Sequence, residues 1–236
     1  MAIVPVPDPE LASFILEEVE ANCQHEPRLR DKLSASQAHR CLRAQVLELD
    51  HTIKRAPISV QGLMAFKQGH AIHDLIQAAF PDDPHEVEIK EAFVQGTYDQ
   101  RFIDVLPDGD LMGDYKSMNV DTYVDFVLNG PKPEHVSQVT WYAYHAKCPQ
   151  AAIIGINKNG KLSDFWKKRA VVPKGAELLF AWRFGVDPEL AKSYDDKGKE
   201  ALSHRARGTL PPFEEIPECR FCAVKHACSK AFKEGK

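Results

Sequence analysis

The chain has 236 residues, 44% of them hydrophobic and 27% charged, enough to bury a substantial core in one globular domain. A formal net charge of −4 excludes nucleic-acid binding by overall charge and leaves only a local basic groove for that purpose. The start MAIVPVPDPE has neither the basic flank nor the long apolar core of a signal peptide, and no later run approaches the ~20 apolar residues of a membrane helix, so a soluble, cytoplasmic protein is expected.

Taken in chain order, residues 8–22 place apolar groups at helical spacing after a proline-containing start. A second helix is predicted from Ser34 or Ser36 to about Leu49, and a third over about 60–79. After PDDP the period changes to two, and EVEIK, GTYDQRFIDVL and DLMGDYKSM read as three strands, with a hairpin-turn signal at Asp108-Gly109. A helix from about Pro133 to Lys147, an apolar strand AAIIGINK, a strand LSDFWKK and a polar helix over about 187–207 follow. The tail holds three cysteines in ten residues.

In GDYKS, strand parity puts Asp114 and Lys116 on one face, the arrangement a metal-dependent hydrolase needs when a carboxylate holds the ion and an ammonium serves the phosphate. The tripeptide alone carries little, because an acidic residue two before a lysine recurs at Glu88/Lys90, Asp195/Lys197 and Glu234/Lys236. A second carboxylate is required, and Asp99 on the preceding strand is the candidate. A turn centred on Asp108-Gly109 would leave Asp99 four residues past the partner of Asp114, ~13 Å away at ~3.4 Å per residue, too far to share an ion. Pairing centred near Leu106-Pro107 would set the two aspartates opposite each other, so a bulge or an asymmetric turn is expected there. Asp104, on the other face, is the weaker alternative.

The order G-x3-H (Gly69, His73), G-x2-D (Gly96, Asp99), G-D-Y-K (Asp114, Lys116) and Q-x3-Y (Gln138, Tyr142), over about residues 66–144, resembles the RecB-like branch of the PD-(D/E)XK nucleases. The resemblance implies an α/β fold with a restriction-endonuclease-like core, a mixed central sheet flanked by helices. That core would span about 60–185 within a single domain over 1–236. It further implies that His73, Asp99 and Asp114 hold a metal ion, that Lys116 completes the catalytic centre, and that Gln138 and Tyr142 contact the lysine or the DNA. His70 lies three residues from His73 on the same helix, and only the position relative to Gly69 favours His73. Two carboxylates and an imidazole suit Mg2+ or Mn2+, the nitrogen favouring Mn2+. Glu88 is a candidate helper carboxylate.

ECRFCAVKHAC spaces Cys219, Cys222 and Cys228 as C-x2-C-x5-C, a metal-site pattern in a cytosolic chain. His226 would complete a local Cys3His zinc site. Alternatively Cys41, in SQAHRCLRAQVL, resembles the first cluster cysteine of the iron-sulfur nucleases of the RecB-like group, among them the AddB subunit and the CRISPR adaptation exonucleases. That resemblance implies a [4Fe-4S] cluster on Cys41, Cys219, Cys222 and Cys228, joining segments at about 34–49 and 215–230. Cys23 is a substitute for Cys41 without its context, and Cys148 is expected to be a buried thiol.

KNGKLSDFWKKR (158–169) mixes basic residues with Phe165 and Trp166, a composition that could hold phosphates and stack unpaired bases or form an ordinary solvated hairpin; HRAR (204–207) could add to a basic groove. The expectation is thus a metal-dependent exonuclease acting on single-stranded DNA or DNA ends. The rival is a non-catalytic iron-sulfur or zinc protein that binds DNA ends as a scaffold. With no G-x4-G-K-[ST] motif, the resemblance points to a standalone enzyme of phage or CRISPR-adaptation type, with room for a protein partner in recombination or adaptation.

Overall fold

The run Gln150–Asn157 (β5) is apolar on both sides of its backbone, and every residue from Ala151 to Asn157 is buried. That pattern belongs to a strand covered on both faces. It lies inside the six-stranded sheet of a computed structural model that describes residues 17–18, 30–53, 58–107, 109–169, 172–213, 219–220 and 222–235. Apart from Glu17 and Glu18, the helix expected over 8–22 lies outside the described residues.

Around β5 the sheet is mixed. β4 (Gly109–Met118) runs parallel to β5, and β6 (Leu179–Gly185) closes the far edge antiparallel to it. On the other side β3 (Val94–Leu106) pairs antiparallel with β4 and with β2 (His85–Lys90). The two-residue strand β1 (Leu33–Ser34) joins the start of β3 in parallel.

Between β1 and β2 run α1 (Leu42–Leu49) and α2 (Val60–Gln77). The parallel crossover from β4 to β5 is made by α3 (Val120–Asn129) and α4 (Pro133–His145). After β5 come α5 (Asp164–Arg169), α6 (Pro188–Arg207) and α7 (Lys225–Lys233). Four helix starts have a local cause: Ser59, Asn119 and Asp187 accept first-turn amides of α2, α3 and α6, and Pro133 opens α4.

The main core, with Trp141, Tyr123, Val139, Met112 and Ile153, fills the sheet face covered by α3, α4 and α6. The opposite face carries a smaller cluster of Phe102, Tyr115, Ala152, Ile154 and Ile156, covered by Ile72 and Ile76 of α2.

Two expectations are corrected. The second helix does not start at Ser34 or Ser36: Leu33–Ser34 pair with β3, Ala35–Gln37 form a tight 3-10 turn, and α1 begins after Cys41, whose sulfur accepts the Ala44 amide. LSDFWKK is not a strand, because the amides of Trp166 and Lys167 both donate to Ser163 O and wind the segment into α5. Among the described residues no helix is long and apolar enough to cross a membrane.

Candidate active site

Strand register decides whether Asp99 and Asp114 meet. β3 and β4 pair Gln100 with Gly113, Arg101 with Met112 and Phe102 with Leu111, but Leu106 with Gly109. Three residues, Ile103 to Val105, therefore bulge opposite Asp110 alone. Asp104 takes a left-handed backbone (φ 49°), and Asp110 accepts its amide and the Arg101 guanidinium. Beyond the bulge the pairing is centred on Leu106-Pro107, so Asp99 arrives beside Asp114. Asp104 is spent on the bulge. The ladder ends at Gln100, and the Tyr115 amide donates to Asp99 Oδ2 at 2.7 Å.

β2 extends the row. His85 pairs with Gln100 and Val87 with Tyr98, which sets Glu86, in a left-handed conformation (φ 51°), across from Asp99. Glu86, Asp99 and Asp114 thus occupy one line across three strands. His73 reaches the line from α2, with Nδ1 3.8 Å from Asp99 Oδ2, and packs edge-on against Tyr115 with ring centres 5.5 Å apart. Gly69, one turn earlier on α2, faces β4: a Cβ there would lie 3.4 Å from Ser117 Oγ, at the edge of ordinary contact. Ligand atoms of His73, Glu86 and Asp99 lie within 4.8 Å of one another.

Asp114 belongs to the same row but turns to Lys116, its Oδ2 2.6 Å from the ammonium Nζ. The grouping expected from sequence was His73, Asp99 and Asp114, whereas the compact group contains Glu86 in place of Asp114. Glu88 pairs with Thr97 and meets Lys90 at 2.8 Å, so Glu86 has the place given to Glu88.

α4 supplies the remaining side chains. Gln138 and Tyr142, four apart, share a helix face, with Nε2 to Oη 3.4 Å. Tyr142 Oη lies where a side chain at Gly96 would be: a Cβ there would come within 2.6 Å of it, so glycine is needed for the close approach. His135, three residues before Gln138 on the same face, also feels the charges of Lys116 and Asp114. Gln77 donates to Glu86 Oε1 and to the Asp99 carbonyl, fixing α2 to the row. Glu86, His135 and Gln77 carry no motif in the sequence.

The electrostatics are those of crowded acids in a dry place. Burial first, and the neighbouring Asp114 second, push Asp99 up to about 8, despite Lys116 and the Tyr115 amide pulling the other way. Burial works against the charge on Lys116, but Asp114 and then Asp99 overcome it and hold the ammonium above its ordinary value. His73 is lowered, by burial and then by Lys116, and is therefore a neutral imidazole near pH 7. Burial raises the Tyr142 hydroxyl.

A second constellation lies away from the row. Cys41, Cys219, Cys222 and Cys228 line one cavity of about 300 Å3, against a small apolar cluster of Ala44, Leu47 and Val224. Among the described residues no three of their sulfurs fall within 4.8 Å of one another. His226 is exposed and outside the lining, Cys148 is buried at 3% exposure, and Cys23 lies outside the described residues.

No family model matches the chain, and no curated protein matches it in sequence. Its fold matches an alkaline exonuclease from Laribacter hongkongensis at a TM-score of 0.53, with 13% identity over 86% of this chain and 94% of that one. The same enzyme in complex with dAMP gives 0.52, at 14% identity over the same shares. A phage-related exonuclease from Haemophilus somnus gives 0.53, with 13% identity over 75% of this chain and 94% of that one. The chain has the mixed α/β architecture of these nuclease folds, a central mixed sheet flanked by helices.

Proposed function

We propose that the chain is a metal-dependent DNA nuclease, a single-domain exonuclease acting on single-stranded DNA or DNA ends. The observation that carries this reading is the row of Glu86, Asp99 and Asp114 across three strands, met by His73 and by the Asp114–Lys116 pair, on a fold shared with exonucleases. The donor set fits a divalent ion: three carboxylates against one ammonium leave surplus negative charge, and a proton held by Asp99 up to about pH 8 marks where a cation would relieve it. His73, Glu86 and Asp99 would hold Mn2+ or Mg2+, with Asp114 beside them. Bound there, such an ion acidifies a coordinated water and takes up charge developing on the scissile phosphate.

The chain's own groups do the rest. Asp114 fixes the ammonium of Lys116, which donates to the phosphate oxygen as its charge grows. The Tyr115 amide and Gln77 orient the Asp99 and Glu86 oxygens. Gln138 and the protonated Tyr142 hydroxyl offer donors from α4 to Lys116's surroundings or the DNA backbone. The test is cleavage of end-labelled and circular DNA with Mn2+ by wild type and Lys116→Ala. Wild type should degrade only the DNA with ends, and the variant should lose at least about 10³-fold. No cleavage by either protein would leave a DNA-end binder.

The four cysteines are read as ligands of a [4Fe-4S] cluster. All four line one cavity, yet among the described residues no three of their sulfurs lie within 4.8 Å of one another, where a tetrahedral ion with ~2.3 Å bonds requires ~3.8 Å between its ligands, and the exposed His226 is outside the lining. Anaerobically purified protein should be brown, absorbing near ~400 nm, with iron and sulfide in cluster ratio. A colourless protein with stoichiometric zinc would overturn the cluster. The phage or CRISPR-adaptation setting rests on the sequence resemblance alone.

A further inference from the structure

Residues 158–174 contain six basic side chains and a single acidic one, Asp164, whereas the rest of the chain holds 24 basic and 33 acidic residues. A positive island in an acidic surface attracts a polyanion locally. On α5 the island also carries flat groups. The Arg169 guanidinium lies 4.0 Å from the centre of the Phe165 ring and 5.8 Å from that of Trp166, and the two rings meet edge-on at 4.9 Å. Phe165 is 53% exposed, so one side of its ring is open to a stacking partner.

The platform is firmly seated. Trp166 packs against the main core, and its Nε1 donates to Asp121 Oδ1 at 2.9 Å. Asp121 lies in the first turn of α3, directly after β4, and the Lys158 amide donates to the carbonyl of Met118, the last residue of β4. The platform therefore stands at the end of the strand that carries Asp114 and Lys116. Beside it runs a groove of about 450 Å3 whose lining includes Trp166, Lys167, Pro173, Lys174 and one carboxylate, Glu177.

We infer that α5 and this groove bind an unpaired strand of the nucleic-acid substrate, with a base stacked on the Phe165–Arg169 platform and phosphates on Lys167 and Lys174. This deepens the nuclease reading and rests on it for the identity of the ligand. The occupant is single-stranded because its bases have open faces to stack, whereas those of a duplex are covered by their neighbours. An acidic peptide would use the lysines and leave the rings idle.

The test measures binding of a fluorescein-labelled oligo(dT) of roughly 12 nucleotides by anisotropy in EDTA, so that no cleavage intervenes. Phe165→Ala should weaken binding about tenfold and Phe165→Trp should stay within about twofold of wild type. The double variant Lys167→Gln/Lys174→Gln should lower the slope of log affinity against log salt by about 1.4. A blunt duplex should bind Phe165→Ala and wild type equally. Wild-type affinity in Phe165→Ala, an equal loss in Phe165→Trp, or poly-glutamate competing as well as oligo(dT) would each overturn the platform. Hydrolysis of p-nitrophenyl thymidine phosphate, too short to reach α5, tests the metal centre separately and should be unchanged in Phe165→Ala. If wild type hydrolyses neither that ester nor DNA while oligo(dT) affinity still falls in Phe165→Ala, the platform stands and the nuclease reading fails.

Discussion

Asp99 and Asp114 are brought together by strand pairing, and the ladder, the bulge at Ile103 to Val105 and the Tyr115 amide hold them there. The four cysteines meet differently. Cys41 caps α1, while its partners come from a turn and helix near the other end of the chain, and α7 buries no residue of its own. The apolar cluster between them has only Ala44, Leu47 and Val224 fully buried. The fold places the carboxylates, whereas a ligand bound by the thiolates would itself place the C-terminal segment, so folding energy and ligand binding are most tightly linked at the cysteines.

Asp99→Asn should break this symmetry most sharply. Cleavage should fall at least about 10³-fold, with the ~400 nm absorbance of the purified protein retained. Cys222→Ser should do the reverse: absorbance lost and melting lowered by about 10 °C, while hydrolysis of p-nitrophenyl thymidine phosphate persists at low temperature. A Cys222→Ser protein that melts with wild type would show that the tail needs no ligand. Glu86→Gln should weaken Mn2+ binding about tenfold, measured by calorimetry, because it removes one oxygen of the compact group.

Gly96→Ala should cost about 2 kcal/mol and lower activity, since its methyl would displace the Tyr142 ring; Tyr142→Phe, which leaves the ring atoms in contact, should not relieve it. The smallest effect is in pH. Asp99 keeps its proton in the folded state up to about 8 but loses it near ~3.9 when unfolded, so metal-free stability should decline as pH rises through that window. In EDTA, Asp99→Asn should melt about 3 °C above wild type at pH 8, and the gap should narrow toward pH 5 and close below about pH 4. A gap that widens toward pH 5 would reverse the assigned sign.

Much of the row was legible because its parts are local. Spacing puts Asp114 and Lys116 on one strand face and Gln138 and Tyr142 on one helix face, and the turn arithmetic already requires a bulge if Asp99 is to join them. Glu86 was not legible: it shares a strand face with Glu88, and only the pairing with β3, with its left-handed residue, selects one of them. The helix Val120–Asn129 escapes a propensity reading for a different reason. Its valines, threonine and tyrosine are poor helix formers, and the Asn119 cap and the burial of Tyr123, Val124, Phe126 and Val127 override them.

The sequence by itself determined which chemical groups exist and which lie together along one strand or one helix, because period and parity are properties of the local backbone. Which strands lie side by side, which glutamate faces the aspartates, and that Cys41 comes to share a cavity with three cysteines 178 to 187 residues later were decided by tertiary pairing and burial. Those outcomes depend on contacts between segments far apart in the chain, and no local pattern encodes them.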